Sequence, residues 1–134
     1  MTRVLVDTSA LVAFLDADDS RHEVVVTTFA ALADDELLTH GYVVAESLAV
    51  TRRRLGVEAN VSLLDEVLPA IEVLTVDGAL LAQALLRYRA ALPTSVSFVD
   101  HVSLAVSERE GITIVFALDP DLGATGLSLI PSVG

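Results

Sequence analysis

Apolar positions in this chain come in two kinds of block, short unbroken runs and longer stretches spaced three or four apart, and the two kinds take turns from end to end. Val4-Leu5-Val6 is the first short run. It stops at Asp7 and passes through Thr8-Ser9 into an apolar helical segment that reaches Leu15, so the acid stands at the carboxyl end of a strand. A polar break, Asp16-Ala17-Asp18-Asp19-Ser20, reads as a solvated loop ending in a cap. From 21 to 32 a helix carries Val24, Val25, Thr28, Phe29 and Leu32 on one stripe, with His22 exposed in its first turn. Glu36-Leu37-Leu38-Thr39 follows as a second strand, without the clean alternation that a strand solvated on one face would show.

His40-Gly41 opens the next helix, which ends in Thr51-Arg52-Arg53-Arg54-Leu55-Gly56, a basic last turn with a glycine beyond it. An amphipathic stretch over 57–68, with Leu63, Leu64, Val67 and Leu68 apolar, stops at Pro69, and 71–76 makes a third strand. Asp77-Gly78 caps a helix over 79–91, whose Leu80, Leu81, Leu85 and Leu86 read as core. Ser97 and Asp100 have the spacing of a capping box at the head of a helix that ends in Ser107-Glu108-Arg109-Glu110-Gly111. The stretch 112–118 is the clearest buried strand and runs into Asp119-Pro120-Asp121; a short turn at 122–125 and a last strand at 127–130 complete the series. Strands alternating with helices predict an α/β fold with a mostly parallel central sheet covered on both faces.

Composition narrows the chemistry. The 134 residues suit a single domain, 1–134, and the hydrophobic share of 53% is high enough that a partner is expected to cover some of the surface. No apolar run approaches the ~18 residues of a membrane span, and the chain leads straight into a strand, so a cytoplasmic protein with no membrane partner is expected. Without cysteine there is no disulfide, thiolate metal site or thiol nucleophile. The 19 acids against 8 arginines, with no lysine, give a formal charge of −11. Lacking lysine, the chain cannot build a Walker-type phosphate loop, a Schiff base or a lysine-dependent phosphoaspartate site, which excludes receiver-like and haloacid-dehalogenase-like rivals. Phosphate chemistry here must use arginine, backbone amides or metal.

The acids that could carry it are spread along the chain. Asp7 and Asp119 end strands, Asp100 sits in a helix's first turn, and Glu46 lies inside a helix. Each has an ordinary reading as well: Asp7 and Asp100 suit helix caps, and Asp-Pro at 119 commonly starts a turn. Glu46 either shares the face of Val43 and Val50, where an unpaired carboxylate would be costly, or points outward beside Ser47. His101, next to Asp100, points to a different helix face and is a bystander. Should the strand and helix ends converge, the carboxylates repel unless a hard divalent cation fills the gap; oxygen ligands without cysteine favour Mg²⁺ or Mn²⁺.

These segments resemble the PIN-domain family, most closely the VapC-type toxins of bacterial toxin–antitoxin pairs. The resemblance is carried by Val6-Asp7-Thr8-Ser9-Ala10-Leu11, Val44-Ala45-Glu46, Ser97-Phe98-Val99-Asp100 and Phe116-Ala117-Leu118-Asp119, in an order and spacing that cover nearly the whole chain. It implies a three-layer α/β/α fold, metal-dependent endoribonuclease activity, a small antitoxin that occludes the site, and a homodimer. It assigns Asp7, Glu46, Asp100 and Asp119 as the catalytic and metal-binding quartet, Thr8, Ser9 and Ser97 as hydroxylic companions, and Asp121 as an auxiliary acid. Ala117 stands where many members have threonine, and Leu122 where an aromatic is usual.

With so acidic a chain, attraction to RNA must be local, and Arg52, Arg53, Arg54, Arg87 and Arg89 are the candidate contacts, each equally suited to helix-end solvation. A base-stacking platform is not expected from Tyr42, Tyr88 and four phenylalanines without tryptophan. The alternative function is an inactive PIN-like domain serving as a protein- or RNA-binding module.

Overall fold

Five short strands pair in the order β3-β2-β1-β4-β5, every neighbour parallel: β1 (Arg3–Val6), β2 (Glu36–His40), β3 (Glu72–Leu74), β4 (Ile114–Phe116) and β5 (Ser128–Ile130). The structure is a computed structural model that describes residues 1–132; Val133 and Gly134, the end of the expected 1–134 domain, lie outside the described residues. Because parallel neighbours cannot be joined by hairpins, helices make the crossovers. They are α1 (Thr8–Leu15), α2 (His22–Ala31), α3 (Gly41–Arg54), α4 (Val57–Ser62), α5 (Gly78–Ala91), α6 (Phe98–Glu110) and the single turn α7 (Pro120–Gly123).

The pleat sorts the core into two halves. Val4 and Val6 of β1 and Phe116 of β4 face one side, with Ala10 and Leu11 of α1, Val25 of α2, Val43 of α3, Leu63 and Val67. Leu5, Leu38 and Val115 face the other, with Leu80 and Ala84 of α5 and Val102, Ala105 and Val106 of α6. The result is the expected three-layer α/β/α arrangement. From β1 the chain steps outward one way to β2 and β3, then returns to place β4 on the other side of β1. That reversal opens a crevice beyond the carboxyl ends of β1 and β4, the customary ligand position in such sheets. The two strands are tied there by the Asp7 N–H donating to the Phe116 carbonyl at 2.9 Å.

Four local expectations change. Strand β4 is shorter than 112–118 because Gly111, at φ 68, turns the chain out of α6 and leaves the Ile112 N–H donating to the Ser107 carbonyl, 2.9 Å away, rather than to a strand. Strand β3, with a neighbour on one side only, pairs over three residues rather than 71–76. In α5 the buried stripe is Leu80 and Ala84; Leu85 and Leu86, expected as core, stand about 100° and 200° around the axis from Ala84 and are 50% and 74% exposed. The 57–68 stretch is regular only to Ser62. It then widens into a π turn over Leu63–Val67, closed by the Leu68 N–H donating to the Leu63 carbonyl, and tightens to a 3₁₀ turn at Leu68–Ala70. Pro69 cannot donate the bond that would continue an α-helix, and Leu64 turns outward.

Candidate metal and nucleic-acid cleft

At the reversal point a cleft of about 330 Å³ is lined by Asp7, Glu46, Asp100 and Asp119 together. Thr8, Ser9 and Ser97 line it too, whereas the side chain of Asp121 does not. Four carboxylates from three helix starts and one helix interior thus meet, although the widest separation along the chain exceeds a hundred residues.

Asp7 is the N-cap of α1. Its Oδ2 accepts from the Ser9 N–H at 3.2 Å and from the Ser9 hydroxyl at 2.8 Å, while Oδ1 is buried without a hydrogen-bond partner. Burial, and then the charge of Glu46, push its carboxyl above the usual range; the bonds from Ser9 pull the other way. Ser9 performs a second task, since its Oγ accepts from the Leu118 N–H at 2.9 Å and so fastens α1 to the chain just before Asp119. Thr8 contributes another buried, unpartnered oxygen, Oγ1.

Asp100 forms the capping box expected of it: its Oδ2 accepts from the Ser97 N–H at 3.3 Å, and Ser97 Oγ accepts from the Asp100 N–H at 3.1 Å. A cap alone would lower a carboxyl's pKa. Burial, reinforced by the charges of Asp7 and Asp119, instead pushes Asp100 up to about 6. Asp119, the N-cap of α7, accepts from the Asp121 N–H at 2.9 Å, so what Asp121 gives the site is a backbone donor. Glu46 turns into the cleft and is half-buried. Ala117 is buried, and Leu122 is fully buried in the core half that includes α5 and α6.

The arginines divide. Arg54 lines the cleft; Arg52, Arg53, Arg87 and Arg89 do not. Arg52, Arg53 and Arg89 are exposed at helix ends, and Arg87 pairs with Glu108. His101 is buried away from the cleft, edge-on to Tyr88 with ring centroids 5.6 Å apart. His22 is not the exposed side chain expected: it is half-buried, and its Nδ1 lies 2.8 Å from the Ala13 carbonyl, bracing the end of α1. Sequence reasoning missed three residues that line the cleft: Asp16 and Asp19, expected in a solvated loop, and Arg21, expected only as the start of a helix. The signal was helical spacing. Ser9, Val12, Ala13 and Asp16 make one face of α1, as Glu46, Val50 and Arg54 do of α3, and both faces line the cleft.

Among the described residues, no three carboxylates or histidines stand close enough to form a closed metal-ligating cluster. The donor set still fits a hard divalent cation. It is all oxygen, two of its buried oxygens lack partners, and Mg²⁺ usually keeps several waters and is held by only one or two carboxylates. Among the described residues Asp7 Oδ1 and Thr8 Oγ1 have no hydrogen-bond partner, a demand that a hydrated ion would meet.

The PIN domain family model matches residues 4–126. The Mycobacterium tuberculosis VapC20 structure, described as a sarcin-ricin loop cleaving toxin, is 30% identical, superposes with a TM-score of 0.86 and covers 92% of this chain and 95% of that one. VapBC2 from Rickettsia felis, bound to a DNA fragment from their promoter, is 14% identical with a TM-score of 0.74, covering 96% and 97%. FitAcB from Neisseria gonorrhoeae is 19% identical with a TM-score of 0.70, covering 94% and 95%. The last two share the fold. No curated protein sequence matches the chain.

Proposed function

Since this chain belongs to the PIN-domain family and is of the VapC type, we infer that it is the toxin of a toxin–antitoxin pair and cleaves RNA by metal-assisted hydrolysis in the acidic cleft. The observation that carries the reading is the meeting of Asp7, Glu46, Asp100 and Asp119 in one cleft. Bound among Asp7, Glu46, Asp100 and Asp119, Mg²⁺ or Mn²⁺ would supply an activated water and charge neutralisation at the phosphoryl oxygens. The chain's own residues prepare that chemistry. Ser9 holds one oxygen of Asp7 and leaves the other, buried, without a partner among the described residues; Ser97 fixes the rotamer of Asp100; the Asp121 N–H steadies Asp119. Glu46 completes the set from α3, half-exposed at the cleft wall. No protein nucleophile is needed.

Similarity to VapC20 supports a structured RNA loop as the substrate class. The antitoxin partner is supported by the toxin–antitoxin assemblies among the structural relatives. Against a face this acidic, an antitoxin is expected to present basic residues. A homodimer belongs to the same reading, and the solvent-facing Leu85, Leu86 and Leu92 offer it apolar surface. No helix among the described residues is long and apolar enough to cross a membrane, in keeping with action on cytoplasmic RNA.

The test is to incubate purified protein with total RNA and Mn²⁺ and to sequence the new RNA ends. Discrete cleavage, lost on adding a chelator, is the expected result. Intact RNA under every metal condition would leave a PIN-like binding module instead.

A further inference from the structure

The cleft has two ends of opposite character. One end, beyond the strands, holds the four carboxylates. The other follows α1 and α3, which pack together and carry the cleft past Asp16 and Arg54 to the loop residues Asp19 and Arg21. At 1.5 Å of rise per residue, Arg54 stands ~12 Å along α3 from Glu46. With two arginines against Asp16 and Asp19, this end is formally neutral, where the strand end carries four negative charges. A polyanion approaching a chain of net charge −11 meets less repulsion here than at the carboxylate end.

The two arginines are built differently. Arg21 is braced: its backbone N–H and Nε both donate to Asp19 Oδ1, at 2.8 and 3.1 Å, and Nη2 donates to Asp19 Oδ2 at 3.1 Å. Of the five side-chain N–H donors of a guanidinium, Asp19 takes two and leaves three, on a side chain 52% exposed. Such bidentate fixing pre-pays the cost of ordering a long side chain, so its free donors are already aimed when a ligand arrives. Arg54 forms no ion pair among the described residues and keeps its whole charge available.

We propose that Arg21 and Arg54 form a phosphate clamp that grips the RNA backbone at the neutral end of the cleft, with Arg54 ~12 Å along α3 from Glu46. The clamp rests on the ribonuclease reading and adds to it the residues that position the strand. Asp19 is a positioning residue, acting through Arg21.

The probe is a fluorescein-labelled single-stranded RNA of mixed sequence, followed by anisotropy in the Asp7→Asn background from about 50 to about 200 mM salt. Cleavage of total RNA in Mn²⁺ is followed in parallel with Asp7 intact. Arg21→Ala and Arg54→Ala should each weaken binding about tenfold and reduce the slope of log affinity against log salt by about 0.7, the value for one single-strand phosphate contact. In cleavage they should raise KM and leave kcat unchanged. Arg52→Ala and Arg53→Ala should alter binding less than about twofold. Because Arg54 pairs with no acid among the described residues, its variant stays informative even if Arg21→Ala disturbs the loop. Protein that binds and cuts RNA equally well without either arginine overturns the clamp alone. Protein that neither binds nor cuts RNA overturns the ribonuclease reading, and the clamp with it.

Discussion

The junctions after β1 and β3 are built to one local plan, strand then aspartate then helix, and they end in opposite states. Asp77 caps α5 by accepting from the Leu80 N–H at 2.8 Å; its other oxygen lies 3.4 Å from Arg109 Nη1, and the side chain is 60% exposed. Asp7 caps α1 by the same kind of bond, is 6% exposed, has Glu46 and Asp100 for charged neighbours, and leaves Oδ1 without a partner. Asp77 is finished by its own helix and one arginine. Asp7 is left incomplete at the same step of the fold. Capping geometry therefore does not mark a functional acid; the sign of what surrounds the second oxygen does.

The contrast breaks most sharply in activity. Asp7→Asn should slow RNA cleavage in Mn²⁺ by about 10³-fold, the rate equivalent of ~4 kcal/mol, while Asp77→Asn leaves it within about twofold. Single-turnover measurements that slow both variants alike would erase the distinction.

A smaller effect lies in pH. Asp100 keeps its proton up to about 6 in the folded chain but releases it near 3.8 when unfolded, so between those values the folded state binds more protons and stability falls as pH rises. The fall is worth about 3 kcal/mol for this group alone. Melting temperatures of metal-free protein should drop across that window. Asp100→Asn, which keeps an acceptor for the Ser97 N–H, should flatten the drop, and Mn²⁺ should raise the wild-type value at pH 7 but not at pH 4. A pH-independent difference between wild type and variant would count against carboxylate crowding.

Smallest is the cap itself. Asp77→Ala should cost about 1 kcal/mol of stability. Asp7→Asn should change metal-free stability in the other direction, because the amide keeps a cap acceptor and removes a repelled charge. Denaturant titration giving a loss at both sites would return Asp7 to the same class as Asp77.

The strand–acid–helix junctions were legible because they depend on neighbours in the chain: Val4-Leu5-Val6 before Asp7, Ser97 three residues before Asp100, Gly111 after α6. Glu46 was ambiguous, since its helix has apolar residues on both candidate faces and only the packing of α3 against α1 decides which face turns inward. Leu85 and Leu86 misled for a related reason. A run of leucines satisfies several helical stripes at once, and the stripe that α6 covers is the one with the small Ala84. The π turn at Leu63–Val67 leaves no local signature beyond Pro69. Asp16 and Asp19 looked like solvent-facing loop and Arg21 like an ordinary helix start because their role depends on a cleft wall supplied by another helix.

The Ser9 hydroxyl bonds a residue 109 positions away, taking the Leu118 N–H with one lone pair while giving its proton to Asp7. A chain still being synthesised has no partner for that link until Leu118 has emerged and β4 has slotted in beside β1. The bond that fastens α1 to the chain just before Asp119 therefore forms only once β4 has joined the sheet.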